Sequence, residues 1–158
     1  MNSLTTQYYP TFRLYQALRG QLLDLLADED LRFTLGGENP PLGALCVEIG
    51  EVQHAYIQSF KTFQIDFNFR CPEPGMAGSV SRLAAWYAEL DAELEANISA
   101  LSEEDVQTRQ IDRGGWRVGL LIQLEVYKEA LLIFYGKGSV YLKAMGKPRP
   151  PQWQEWIA

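Results

Sequence analysis

Residues 116–150 read WRVGLLIQLEVYKEALLIFYGKGSVYLKAMGKPRP, and this stretch decides the fold. At about 100° per residue, Leu120, Leu124, Tyr127, Leu131 and Phe134 fall on one stripe, while Leu121, Ile122, Leu132 and Ile133 make the back of the helix apolar too. A helix that is hydrophobic nearly all round is buried on most sides. Gln123, Glu125, Lys128 and Glu129 interrupt an apolar run that would need roughly 20 residues to cross hydrocarbon, so the segment reads as the central helix of a bundle. Glu125 and Glu129, one turn apart, lie on a solvent strip or in a subunit interface.

Upstream, the chain repeats the same helical period three times. Pro10 suits a first helical turn, and Tyr15, Leu18, Leu22 and Leu25 recur behind it to about Asp28. The Gly/Pro/Asn cluster FTLGGENPP at Phe33–Pro41 is a loop. Helix two sets Leu42, Leu45, Ile49, Val52, Tyr56 and Phe60 on one face. The stretch FNFRCPEPGMAG at Phe67–Gly78 is a second loop, long enough to cover something. Ser79 or Ser81 caps helix three, with Leu83, Tyr87, Leu90, Leu94 and Leu101 as its inner seam. Ser102 to Asp105 caps a short turn. Thr108–Gly115 is a polar connection before helix four, which is expected to end near Tyr135, where Gly136 and Gly138 flank Lys137. Val140, Tyr141 and Met145 then predict a short fifth helix closed by Gly146 and a Pro-rich tail. Four long amphipathic helices without an alternating strand pattern predict an all-α four-helix bundle with a short C-terminal helix, one domain over 1–158.

A formal charge of -6 and no cluster of Lys and Arg argue against a nucleic-acid partner. No basic segment followed by an apolar run opens the chain, which predicts a cytoplasmic protein with no membrane association. Cys46 and Cys71 stand apart, without metal-ligand spacing, and are expected to be reduced thiols.

The chain has one histidine. His54 completes an ExxH with Glu51, a unit that binds paired metals in helical bundles, but a second such unit is missing. The apolar stripe of helix two also points about 150° away from both residues, so they are expected to face solvent. Glu48 lies only about 85° from the centre of that stripe, at the edge of the buried face. There it is a weak candidate metal ligand, a carboxyl of raised pKa or a boundary residue. On helix four, Gln123, Tyr127, Ala130 and Phe134 fall along one side.

The tail GKGSVYLKAMGKPRPP and the helix-two span PLGALCVEIGEVQHAYIQSF resemble the DinB-like (YfiT-like) family of damage-inducible metalloprotein bundles, over roughly Tyr9–Pro151. The resemblance implies an up-down-down-up bundle, a homodimer, and a divalent metal such as zinc or nickel held by three histidines. It also implies, for some members, thiol-dependent transferase activity. Registering the helix-two span puts Glu48 at the first histidine position, and registering the tail puts Ala130 and Phe134 at the other two. A methyl and a phenyl ring donate nothing to a metal. His54, turned about 120° from Glu48, does not replace them.

Glu48, Gln123, Tyr127, Ala130 and Phe134 are therefore expected to converge between helices two and four as a degenerate metal pocket. Phe134 is expected to fill the metal's volume, and Glu48 to hydrogen-bond to Gln123 or a tyrosine. The resulting reading is a homodimeric scaffold or small-molecule binding module with no cofactor. The alternatives are a metal-dependent hydrolase with substitute ligands such as Glu48 with Glu125 or Glu129, and a thiol-dependent transferase using Cys46.

Overall fold

The computed structural model describes residues 1–157. Helix α1 (Tyr9–Leu23) carries Pro10 in its first turn, where a missing N–H loses no partner, and extends a single π-helical turn at Leu4–Tyr8. It stops short of Asp28. Ala27 turns extended, its N–H donates to the Asp30 carboxylate at 2.8 Å, and a 3-10 turn starts afresh over Asp28–Arg32.

Helix α2 (Leu42–Thr62) ends where Phe63 adopts a φ of 58°, a conformation a bulky residue keeps only when its surroundings hold it. The hold is visible: the Arg109 guanidinium lies 5.0 Å over the Phe63 ring, and the Asp112 N–H donates to the Phe63 carbonyl at 2.9 Å. From there a long strap, residues 63–79, crosses to helix α3 (Val80–Ala100), whose first turn is capped by Ser79. Helix α4 (Glu103–Thr108) carries the reciprocal Ser102–Asp105 cap that the sequence predicts.

Next comes an element that sequence reading misses. Strands β1 (Gln110–Asp112) and β2 (Arg117–Gly119) form an antiparallel hairpin, with Ile111 opposite Val118. Three-residue strands are too short to show an alternating pattern, and the Gly114-Gly115 signal that marks the end of a loop is its turn, both glycines having positive φ.

Helix α5 (Leu120–Ala144) then runs without interruption through Gly136 and Gly138, correcting the expected break near Tyr135 and the separate helix at Val140–Met145. Glycine costs about 1 kcal/mol in a helix, but Tyr141 and Leu142 are buried and hold the last turns in place. The Trp153 ring packs against Gly138. The true short helix is α6 (Pro151–Trp156), which buries Trp153 completely and lets its indole N–H donate to the Leu18 carbonyl at 3.1 Å.

Helix α2 packs on α3 and α5, while α1 packs on α5 and α3, which closes the ring of an all-α four-helix bundle. The strap supplies the long crossover of the up-down-down-up arrangement. No helix among the described residues is long and apolar enough to cross a membrane.

Candidate functional site

Leu45, Ile49 and Val52 of α2 face Ala130, Ile133 and Phe134 of α5 across a groove of about 150 Å3. Glu48 and Lys137 stand at its rim. The same two residues, with Leu35, Asn39, Pro40, Val140 and Tyr141, border a second hollow of about 280 Å3 under the loop before α2. A third, of about 380 Å3, lies between Glu48, Glu51 and Val52 and the strap residues Phe67 and Arg70. Glu48 is common to all three.

Three of the five residues expected to converge therefore do so, since Glu48, Ala130 and Phe134 line one groove. The ring of Phe134 is buried and forms its floor, but it leaves the cleft open above. Glu48 is exposed. Its carboxylate has no hydrogen bond to Gln123 or to a tyrosine, contrary to expectation; a carboxylate at the rim keeps its water and needs no protein donor.

Gln123 and Tyr127 sit elsewhere, in the bundle interior. Gln123 donates to the Ser59 hydroxyl at 2.8 Å and accepts from Arg113. Tyr127 stacks on Tyr56 with ring centroids 4.7 Å apart and packs on Phe12. One turn of α5 separates interior from groove. Ala130 is only one residue short of a full turn beyond Tyr127, so a wheel places them together, whereas the neighbouring helices divide that side between two environments.

Glu51 and His54 do not face open solvent either. The strap lies along them: the His54 ring stacks on Phe69 at 3.8 Å, and the Glu51 carboxylate accepts the Cys71 N–H at 2.9 Å beside Arg70. Cys46 is fully buried and its thiol is pushed up to about 12 by burial, with the Tyr87 hydroxyl donating to its own carbonyl nearby. A thiol that stays protonated at neutral pH is a poor nucleophile.

Sequence reading also overlooks a polar layer drawn from the bundle helices. Arg19 of α1, 1 % exposed, donates to Gln53 of α2 and Asp91 of α3, while its guanidinium lies 4.2 Å over the Tyr87 ring. Gln16 and Gln53 donate to the same Asp91 oxygen. Arg19 Nε and the Tyr127 hydroxyl have no partner among the described residues, and burial raises the Tyr127 pKa well above the ordinary value. A signal existed: Arg19 follows Tyr15 by four, and Asp91 follows Tyr87 by four, so opposite charges occupy two apolar stripes.

Among the described residues no three His, Cys, Asp or Glu side chains are grouped to hold a metal ion. The donor set at the groove is one carboxylate beside a methyl and a phenyl, which does not fit the three-histidine metal that the resemblance implies. What the groove offers chemically is an apolar floor with one anionic and one cationic group at its rim.

No family model matches the sequence, and no curated protein matches it as a relative. Solved structures do. A DinB-like protein (YjoA) of Bacillus subtilis superposes with a TM-score of 0.71 at 16% identity, over 95% of this chain and 96% of that one. A DinB-like protein of Bacillus cereus gives 0.74 at 18% identity, over 90% of this chain and 93% of the other. Such low identity with so complete an overlap identifies the architecture: the chain has the fold of the DinB-like proteins.

Proposed function

We propose that this protein is a divergent, non-catalytic member of the DinB-like family, a cytoplasmic homodimer whose former metal position has become a groove for a small molecule. One observation carries the reading. The three positions registered to metal histidines, Glu48, Ala130 and Phe134, come from two helices and line one groove, yet only one of them has a donor atom. Burying an aromatic ring there gains roughly 1.5–3 kcal/mol of apolar stabilisation, which a hydrated metal site forgoes.

Substitute ligation has no support in the geometry. Glu125 is paired with Lys128 on the same helix, and neither Glu125 nor Glu129 borders the groove. The thiol alternative is disfavoured by the enclosed, protonated Cys46. Self-association is supported by α5, where Ile122, Ile133 and Val140 are 50%, 61% and 52% exposed. At about 100° per residue they fall on one line along the helix, an unpaired apolar stripe of the kind a two-fold partner packs against; Ile133 and Val140 also border the hollows, so that partner would stand at the groove's outer edge.

The test is metal loading. Protein equilibrated with zinc or nickel and examined by native mass spectrometry with elemental analysis is expected to carry no stoichiometric metal. One ion per chain would overturn the reading. The triple variant E48H/A130H/F134H is expected to gain one zinc per chain, because the helices already hold those three positions around a single space.

A further inference from the structure

We propose that the groove binds a small apolar zwitterion, a free α-amino acid with a bulky aliphatic or aromatic side chain, its ammonium set against Glu48 and its carboxylate against Lys137. This deepens the small-molecule reading above and rests on it.

The argument begins with two charges that the fold leaves unused. Glu48 and Lys137 border both of the hollows between α2 and α5, yet neither makes an ion pair or hydrogen bond among the described residues, with each other or with anything else. Their neighbours are different. Glu51, one turn further along α2, is engaged by the Cys71 N–H and Arg70, and Glu125 on α5 by Lys128. So the two charged groups that line the groove, a carboxylate and an ammonium, are both open.

Between and below them the surface is almost wholly apolar: Leu45, Ile49, Val52, Ile133 and Phe134. Sites for small ligands combine such a lining with a few polar groups that fix orientation, and the two adjoining hollows together reach the lower part of the roughly 300–1,000 Å3 such sites span. A monovalent amine or acid would satisfy one rim charge and leave the other facing its apolar body. An uncharged hydrocarbon would satisfy neither. A free amino acid carries both charges on one carbon and a separate apolar side chain, which matches two rim charges above a greasy floor.

Titration of protein carrying labelled Ile and Val methyls, followed by NMR, tests this with four probes: phenylalanine, phenethylamine, 3-phenylpropionate and benzyl alcohol. Phenylalanine is expected to shift the Ile49, Val52 and Ile133 methyls saturably and to bind tighter than the other three. E48Q is expected to weaken phenylalanine and phenethylamine about threefold while leaving 3-phenylpropionate unchanged, the modest size being usual for rim ion pairs. K137M is expected to do the reverse, weakening phenylalanine and 3-phenylpropionate and sparing the amine. Both positions are exposed and unpaired, so both variants keep the fold. Equal binding of phenylalanine and benzyl alcohol, or phenylalanine binding unaltered in both variants, would overturn the zwitterion and leave the groove as a general apolar site. Absence of any methyl shift with all four probes would overturn the small-molecule reading itself.

Discussion

Arg19 shows what a single buried charge asks of its surroundings. Its guanidinium is held by a carboxylate, an amide and an aromatic face from two other helices. Replacing Arg19 with Met is expected to cost about 3 kcal/mol, the low end for a broken buried pair, because Asp91 is 38% exposed and turns back to water. Urea unfolding measures it. Tyr127→Phe should act oppositely, raising stability by about 1 kcal/mol, since it removes a buried hydroxyl with no partner and keeps the stack on Tyr56. At this scale the sequence was partly legible. Arg19 sits three residues before Leu22 and Asp91 four beyond Tyr87, both of them core residues, a pattern that names the layer, but the choice of partner depends on how the helices meet.

At the scale of elements, α2 is the piece that others must accommodate. Gly43 in its first turn abuts the strap so closely that a methyl there would overlap the Ala77 carbonyl oxygen, and Gly50 receives the Trp86 ring in the same way. Gly43→Ala is expected to destabilise by about 2 kcal/mol, an overpacking cost, and to raise hydrogen exchange at residues 76–79 more than in the core of α5. The turn at Asp28–Arg32 makes a pH-dependent tie to the tail. Asp30 accepts the Ala27 N–H, its strongest influence, and pairs with Lys147 at 3.0 Å, so its pKa is lowered. A carboxyl depressed in the folded state stabilises above its unfolded pKa, and that contribution is lost as pH falls through the lower folded value. Asp30→Asn should therefore lower the Tm at neutral pH, and the gap from wild type should close below roughly pH 4, as seen in thermal melts over a pH series. The long helices were readable because each repeats its apolar residues over many turns. The hairpin was not, being three residues a side, and Gly136 and Gly138 misled because burial of Tyr141, Leu142 and Trp153 outweighs their local preference.

For the whole molecule, the apolar line along α5 makes a claim about assembly. Ile122→Asp, on the part of the line that borders no hollow, is expected to convert a dimer to a monomer in light scattering after gel filtration; a wild-type chain that elutes as a monomer would sink the idea of self-association. The position of the groove was visible in the sequence through Glu48, Ala130 and Phe134, which line it together. Lys137 was not visible as part of it because Gly136 and Gly138 signalled the end of the helix near Tyr135, and Phe67 and Arg70 were not because the strap brings them beside Glu48 from outside the helical repeat.

Trp153 works as a stopper, wedged between Leu18 on the first long helix and Gly138 on the last. Every long helix precedes that stopper in the sequence, so a bundle that lacks α6 would carry an unsealed apolar seam between α1 and α5. Exchange of that tail between two copies, or its loss, would therefore open the bundle at one defined edge.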